Sequence, residues 1–198
     1  MKHIQELYTV QTCENLLVFF NKISAFIPEN ILKILYFCLV HSKTMYGIEI
    51  YANTYPTYLH DAMILNNRIL RIIQKKNRST PVAELYFSYN TLPIDKLFEF
   101  RLLLHAYSII YKSLTLPPLF YDTISLNNKI HTYSTRSSQD AHRVSYFSNS
   151  GRRISSNLCA IFWNSLPTNL KTVSTQENFK KHLKVYFLQR LLSSKLSF

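Results

Sequence analysis

Apolar side chains recur at helical spacing along most of the chain, and prolines punctuate the pattern. A first stripe consists of Leu16, Phe20, Ile23 and Ile27. Further segments with apolar stripes begin at Pro28, Pro56, Pro81 and Pro93. Proline suits the first turn of a helix, because its missing N–H would have no partner there and its fixed φ is already helical. The pattern therefore predicts a mainly α-helical chain.

The segment 28–52 is apolar nearly all round, which predicts one central, buried helix. Gly47 lies within this segment, and a glycine inside a helix costs about 1 kcal/mol relative to alanine. We expect Gly47 to be kept because a neighbouring element approaches the backbone closely beside Tyr46.

A polar stretch with few acids follows in the last third of the chain. Val144 and Tyr146 alternate with their neighbours as in a short strand. The sequence Asn-Ser-Gly that ends at Gly151 is typical of a turn, so we predict a β-hairpin over about 142–155. Gly151 would supply the positive φ that such a turn needs.

Two helices are predicted after the hairpin, over about 155–164 and 175–192. Pro167 stops the first, and an S-x-x-E capping box that begins at Ser174 starts the second. Trp163, the only tryptophan, lies at the end of the first helix. We expect its ring to fill the core between the two helices and the hairpin, with its N–H bonded to a partner, rather than to stack on a base.

A stiff connector, "TLPPLF", and a change in charge predict a domain boundary at about residues 117–125. Residues 1–122 carry 12 Lys and Arg against 9 Asp and Glu, whereas residues 123–198 carry 11 against 2. We therefore predict a helical bundle over 1–120, followed by a small basic α+β module with one hairpin over 121–198.

The net charge of +12 suits a polyanionic partner, with nucleic acid first and an anionic membrane surface second. Like charges on one helix face repel each other, a cost that a nearby phosphate backbone would remove. The candidate phosphate contacts are Arg68, Arg71, Lys75, Arg152, Arg153, Lys180 and Lys184, with Lys76 and Arg78 continuing the first face. Tyr133 and Tyr146 are candidate stacking faces. A solvated basic surface without a partner is the alternative.

Other classes of function find little in the sequence. The three cysteines are far apart, and no histidine falls at zinc-ligand spacing to any of them, so we expect no metal site and a reducing compartment. Only two glycines are present, which argues against a Gly-rich phosphate loop, and we expect no cofactor. The apolar run "ILKILYFCLV" is shorter than the roughly 18 residues of a membrane span. We expect an intracellular protein, cytoplasmic or nuclear.

Several stretches follow one another in a recognisable order: "PENILKILYFCLV", "YGIEIYANT", "LNNRILRIIQKK", "HTYSTR", "RVSYFSNSGRRISSNLCAIFWNSLPTNLK" and "ENFKKHLKVYFLQ". In this order they resemble the C-terminal region of reverse transcriptases from non-long-terminal-repeat retrotransposons, the jockey-like and related elements of animals. The resemblance covers nearly the whole chain, from about Glu14 onward.

The resemblance implies the thumb and tail that follow the catalytic palm of such a polymerase. The palm holds two metal ions on an aspartate pair, and this chain has no two adjacent acids. The implied protein is therefore a non-catalytic fragment that binds RNA or DNA without sequence specificity, beside a polymerase domain encoded upstream. The alternative is a protein-interaction module, or a non-functional remnant, that docked on the missing polymerase domain.

Overall fold

The computed structural model describes residues 2–111, 122–130, 136–138 and 140–193. Most of them are helical, as the sequence predicts. Within these ranges, no helix combines the length and the apolar character needed to cross a membrane. The chain forms two compact units, Met1–Phe98 with Tyr186–Phe198, and Glu99–Val185.

The first unit is built from the helices that the prolines punctuate. They are α1 (Lys2–Ile23), α2 (Glu29–Leu35), α3 (Ser42–Met45), α4 (Ile48–Tyr51), α5 (Pro56–Ile73), α6 (Val82–Ser88) and the start of α7 (Ile94–Ile110). Pro28 and Pro81 are the residues just before α2 and α6, and Pro56 is the first residue of α5. The division between the units falls inside α7, whereas the sequence predicted a boundary at about 117–125.

The prediction of one helix over 28–52 is wrong, because the backbone changes form twice. Tyr36–His41 forms a π-helical turn, and the helix then breaks between α3 and α4. At that break Gly47 has a φ of 65° and a ψ of 22°, a left-handed conformation that glycine adopts without strain. Gly47 is therefore needed for its positive φ, a role that the sequence did not predict for it.

The core of the first unit joins α1, α2, α5 and α6 around fully buried side chains. They include Phe20, Leu32, Tyr36, Ile69, Ile73, Leu85 and Tyr86. A series of hydrogen bonds between buried polar side chains, which we call the buried polar chain, runs through this core. The Tyr36 hydroxyl donates to Oδ1 of Asn66 (3.2 Å), and Nδ2 of Asn66 donates to the Tyr86 hydroxyl (2.9 Å). The Tyr86 hydroxyl in turn donates to Oδ1 of Asn67 (2.8 Å), so each member of the chain is hydrogen-bonded.

The second unit contains the rest of α7 and five further helices. They are α8 (Asn127–Ile130), α9 (Asn149–Arg152), α10 (Ser155–Asn164), α11 (Thr168–Lys171) and the first part of α12 (Gln176–Ser193). The helices predicted over about 155–164 and 175–192 are confirmed by α10 and α12. Pro167 has an extended ψ of 146° immediately before α11, so it separates α10 from α11.

The predicted β-hairpin over 142–155 is wrong, and with it the α+β character of this module. Residues 143–147 form no strand, and Asn149–Arg152 is the helical turn α9. The Ser148 hydroxyl caps that turn by accepting from the N–H of Gly151 (3.1 Å). Val144 is 53% exposed, so the alternation has no buried face to hold a strand in place. In the described residues, the strand-like pairing is one antiparallel bridge between Leu126 and Ala141.

Gly151 does not supply a positive φ, which is the second correction to the hairpin. A Cβ at this position would lie 2.7 Å from Cδ1 and 2.9 Å from Cγ of the Tyr146 ring. Atoms do not approach so closely, so Gly151 is needed because an aromatic ring packs on its backbone. The positive φ that the sequence predicted for Gly151 is found at Gly47, and a close approach to the glycine backbone is found at Gly151.

Trp163 lies in the core of the second unit, 1% exposed. Its ring centroid is 6.0 Å from that of Phe179 and 6.3 Å from that of Tyr111, and Phe179 stacks on Tyr107 at 4.5 Å. The expected partner of the indole N–H is not found among the described residues, where Nε1 is buried without an acceptor.

The residues that follow Trp163 attach the segment around Asp140 to this core. Asn164 bonds both sides of the Ala141 backbone, accepting from its N–H (2.8 Å) and donating to its carbonyl (3.0 Å). The largely buried ammonium of Lys171 pairs with Oδ1 of Asp140 at 2.9 Å. The tryptophan-containing stretch therefore serves as a structural clamp.

Candidate nucleic-acid interface

A cleft of about 760 Å³ in the first unit gathers a cluster of cations, and we call it the basic cleft. It is lined by Leu17, Asn21, Ser24, Arg68, Arg71, Ile72, Lys75, Lys76 and Arg78. One wall comes from the second half of α1, and the other from the last turns of α5 and the loop after it. Five of these nine described lining residues are cationic, and none of the nine is acidic. The structure thus brings together the three cations predicted on this face, with the two that continue it.

The end of α5 directs the last of these cations into the cleft. Lys75 has a φ of 50°, in the left-handed region that glycine usually occupies after a helix. The N–H of Lys76 then donates to the carbonyl of Arg71 at 2.9 Å, which closes the helix end. A lysine in this conformation costs of order 1–3 kcal/mol. This turn carries the chain back, so that Lys76 and Arg78 line the same cleft as Arg68.

Arg71, which lines the cleft, is held in a defined position. One terminal nitrogen of its guanidinium donates to the carbonyl of Thr80 at 3.3 Å. Its Nε is buried, and no acceptor for that hydrogen is found in the described part of the chain. The guanidinium is therefore anchored on one side while its hydrogen-bonding capacity is incompletely used.

Within the described part of the chain, the cations of the cleft are only weakly neutralised by acidic side chains. Lys76 lies 3.7 Å from Glu84, but both side chains are about half exposed, at 47% and 51%. An exposed pair of this kind contributes about 0–1 kcal/mol and is screened by salt. Most of the positive field in the cleft is therefore left for a bound anion.

The cations predicted in the second unit lie on two elements. Arg152 is the last residue of α9 and Arg153 follows it, with Arg152 exposed and Arg153 half-buried. The Nε of Arg152 donates to the carbonyl of Tyr146 at 3.4 Å. This contact holds the base of the guanidinium beside the peptide that joins Tyr146 to Phe147.

Lys180 and Lys184 lie one helical turn apart on α12. Burial lowers the pKa of Lys184, and the nearby charge of Lys180 lowers it further. A phosphate at this position would stabilise both charged ammonium groups. The pair therefore has the electrostatics of a site that favours an anion.

The two aromatic candidates have different outcomes. Tyr133 lies outside the described residues. Tyr146 is half-buried, with its ring against Gly151. The next residue, Phe147, is fully exposed, at 101% of its reference area. The sequence pattern does not single out Phe147, because the predicted strand alternation assigns it only to the face opposite Tyr146.

The described residues contain no group of three or more His, Cys, Asp or Glu side chains arranged to hold a metal ion. Comparisons with known proteins give no match: no family model, no curated protein and no solved structure is significantly similar to this chain. The likeness to retrotransposon reverse transcriptases therefore stays a prediction from the sequence.

Proposed function

We propose that this protein binds RNA or DNA through the phosphate backbone, without sequence specificity and without catalysing a reaction. In this proposal the chain corresponds to the thumb and tail region of a non-long-terminal-repeat reverse transcriptase, and a polymerase domain encoded upstream is a second partner. Such a protein acts inside the cell, in the cytoplasm or the nucleus. Neither a metal nor a cofactor takes part.

The observation that carries the proposal is the basic cleft, where five cations meet and no acidic residue is found among the described lining residues. Sites for small ligands of this size, about 300–1,000 Å³, are mostly apolar, so a cleft lined by cations favours a polyanion. The cations repel one another in the free protein, and bound phosphates would relieve that repulsion. Binding would also release the counterions that surround the nucleic acid, which favours the complex. The contacts are to the backbone, which fixes position and carries no sequence information.

The test is to neutralise two exposed cations of the cleft in the full-length chain. The double substitution Arg68→Gln and Lys75→Gln should weaken binding to a labelled single-stranded oligonucleotide by about 10- to 50-fold at roughly 0.1 M salt, because two phosphate contacts are lost. The matched control is Lys43→Gln with Lys129→Gln, two exposed lysines on α3 and α8. It makes the same change in net charge at positions outside the cleft.

Equal weakening by both double variants would mean that only net charge matters, and it would remove the cleft from the proposal. No binding by the wild-type chain would refute the proposed function altogether. The protein-interaction alternative would then gain support from the apolar side chains exposed around α2, which include Phe26 (87%), Ile34 (60%) and Ile31 (45%).

A further inference from the structure

Phe147 is the most exposed of the large apolar side chains in the described part of the chain. A single exposed apolar residue is common on protein surfaces and needs no explanation. Phe147, however, shares its segment with Val144 (53% exposed) and Ile154 (44% exposed). The segment therefore exposes three large apolar side chains, with the Phe147 ring the most exposed of them.

The backbone that carries Phe147 is held in place on both sides. Before it, the ring of Tyr146 packs on Gly151, closely enough that a Cβ there would clash. After it, the Ser148 hydroxyl accepts from the N–H of Gly151 at 3.1 Å and caps α9. An aromatic ring on such a fixed support loses little conformational entropy when it binds a flat partner.

The surroundings of Phe147 are cationic. The Arg152 guanidinium is anchored at the Tyr146 carbonyl, in the peptide unit that leads into Phe147. Arg143 is a further exposed cation on the same segment. The sequence has no acidic residue from Ala141 to Gln176, so no carboxylate of this stretch offsets the charge.

We infer that Phe147 stacks on an unpaired base while Arg152 and Arg143 contact the flanking phosphates. This inference rests on the proposed function and narrows it, because the second unit then selects single-stranded RNA or DNA over a duplex. Every base has a π-face, so stacking tolerates any sequence, but the bases of a duplex are already stacked on each other. An aromatic ring next to phosphate-binding cations is the arrangement that such proteins use.

The test compares three substitutions of Phe147 in the full-length chain. Phe147→Ala should weaken binding of a fluorescent oligouridylate by about 5- to 100-fold, the usual effect of removing one stacking contact. Phe147→Trp should retain tight binding, and its fluorescence should be quenched by the stacked base. Phe147→Leu should behave like the alanine variant, because it keeps apolar area but has no ring. Binding of a duplex of matched length should change little in all three.

The matched control is Tyr46→Ala, which removes an aromatic ring that is 79% exposed in the first unit. It should leave binding unchanged. Thermal unfolding should also be unchanged in the Phe147 variants, since the ring is fully exposed.

Unchanged oligouridylate binding in Phe147→Ala, with salt-dependent binding still present, would overturn this inference and leave the proposed function intact. Absence of binding by the wild-type chain would refute both. If Phe147→Ala instead lowered binding to vesicles that contain anionic lipid and spared the oligonucleotide, the ring would be a membrane contact and the inference would be wrong.

Discussion

Replacing Trp163 with alanine tests whether the stretch around the only tryptophan is a structural core. The ring is 1% exposed and lies within 6.3 Å, centroid to centroid, of two other aromatic rings. A buried aromatic side chain removes about 150–250 Å² from water. At about 25 cal/mol per Å² this area corresponds to roughly 4–6 kcal/mol. Partial collapse of the cavity reduces this loss of burial free energy, so Trp163→Ala should lower the free energy of unfolding by about 3–5 kcal/mol.

Trp163→Phe provides the matched comparison. Phenylalanine keeps most of the ring contacts and removes the buried Nε1–H, which has no acceptor among the described residues. Leaving such a group unpaired costs about 1–3 kcal/mol, so its removal offsets part of the lost contact area. We therefore expect Trp163→Phe to cost less than about 2 kcal/mol.

Both variants are measured by urea unfolding, followed by far-ultraviolet circular dichroism because they lack the tryptophan signal. The midpoint should fall while the dependence on urea concentration stays the same, as for a change in stability alone. An alanine variant within about 1 kcal/mol of wild type that has lost nucleic-acid binding would refute the core assignment and make Trp163 a stacking residue.

Three further predictions concern the buried polar chain, the thiols and catalysis. Asn66→Ala should lower the free energy of unfolding by about 1–3 kcal/mol in the same urea assay, because the buried Tyr36 hydroxyl loses its acceptor and the Tyr86 hydroxyl keeps only its bond to Asn67. An unchanged midpoint would contradict this. Burial raises the pKa of Cys13 to about 11 and that of Cys159 to about 12, so a thiol reagent at mildly alkaline pH should modify exposed Cys38 quickly and the other two only on unfolding. Equal reactivity of all three thiols would refute the burial. Because the folded state binds the protons of Cys13 and Cys159 more tightly than the unfolded state, their contribution to stability is complete below the unfolded pKa near 9. It is lost as the pH rises toward 11–12, by up to about 1.4 kcal/mol per pH unit for each thiol. Primer, template, Mg²⁺ and nucleotides should yield no extension, since the chain has no adjacent acids to hold two metal ions, and extension above a buffer control would overturn the non-enzyme proposal.

The helical class could be predicted from the sequence, because proline acts locally. Pro28, Pro56 and Pro81 mark helix starts through their own φ and missing N–H, whatever the rest of the chain does. The break within 28–52 could not be found in this way. Its apolar pattern continues across Gly47, and periodicity does not report a positive φ.

The hairpin prediction is wrong because the sequence patterns behind it, a short alternation and one turn sequence, are short and ambiguous. Ser148 precedes Asn149 by one residue, and the same letters that favour a β-turn also form a capped helical turn. The deciding contact, the Tyr146 ring on Gly151, is a packing interaction that no spacing rule contains.

Only part of the candidate site could be predicted, because local helix geometry can be derived from the sequence and tertiary contacts cannot. Arg68, Arg71 and Lys75 share one helix face, which follows from helical geometry alone. That they line a cleft depends on α1, whose contribution through Leu17 and Asn21 is a tertiary contact. The clamp made by Asn164 and Lys171 depends in the same way on residues more than twenty positions away.

The most direct test of the central claim is the salt dependence of binding by the full-length chain. Each neutralised phosphate adds roughly 0.7–0.9 to the negative slope of log affinity against log salt, so four to six contacts predict a slope of about −3 to −5. Replacing Arg152 and Arg153 together by glutamine should weaken all sequences about equally and flatten that slope by up to about two units. Affinity that does not depend on salt would contradict binding through the phosphate backbone. A slope and an affinity that the Arg152 and Arg153 substitutions leave unchanged would remove these two residues from the phosphate contacts.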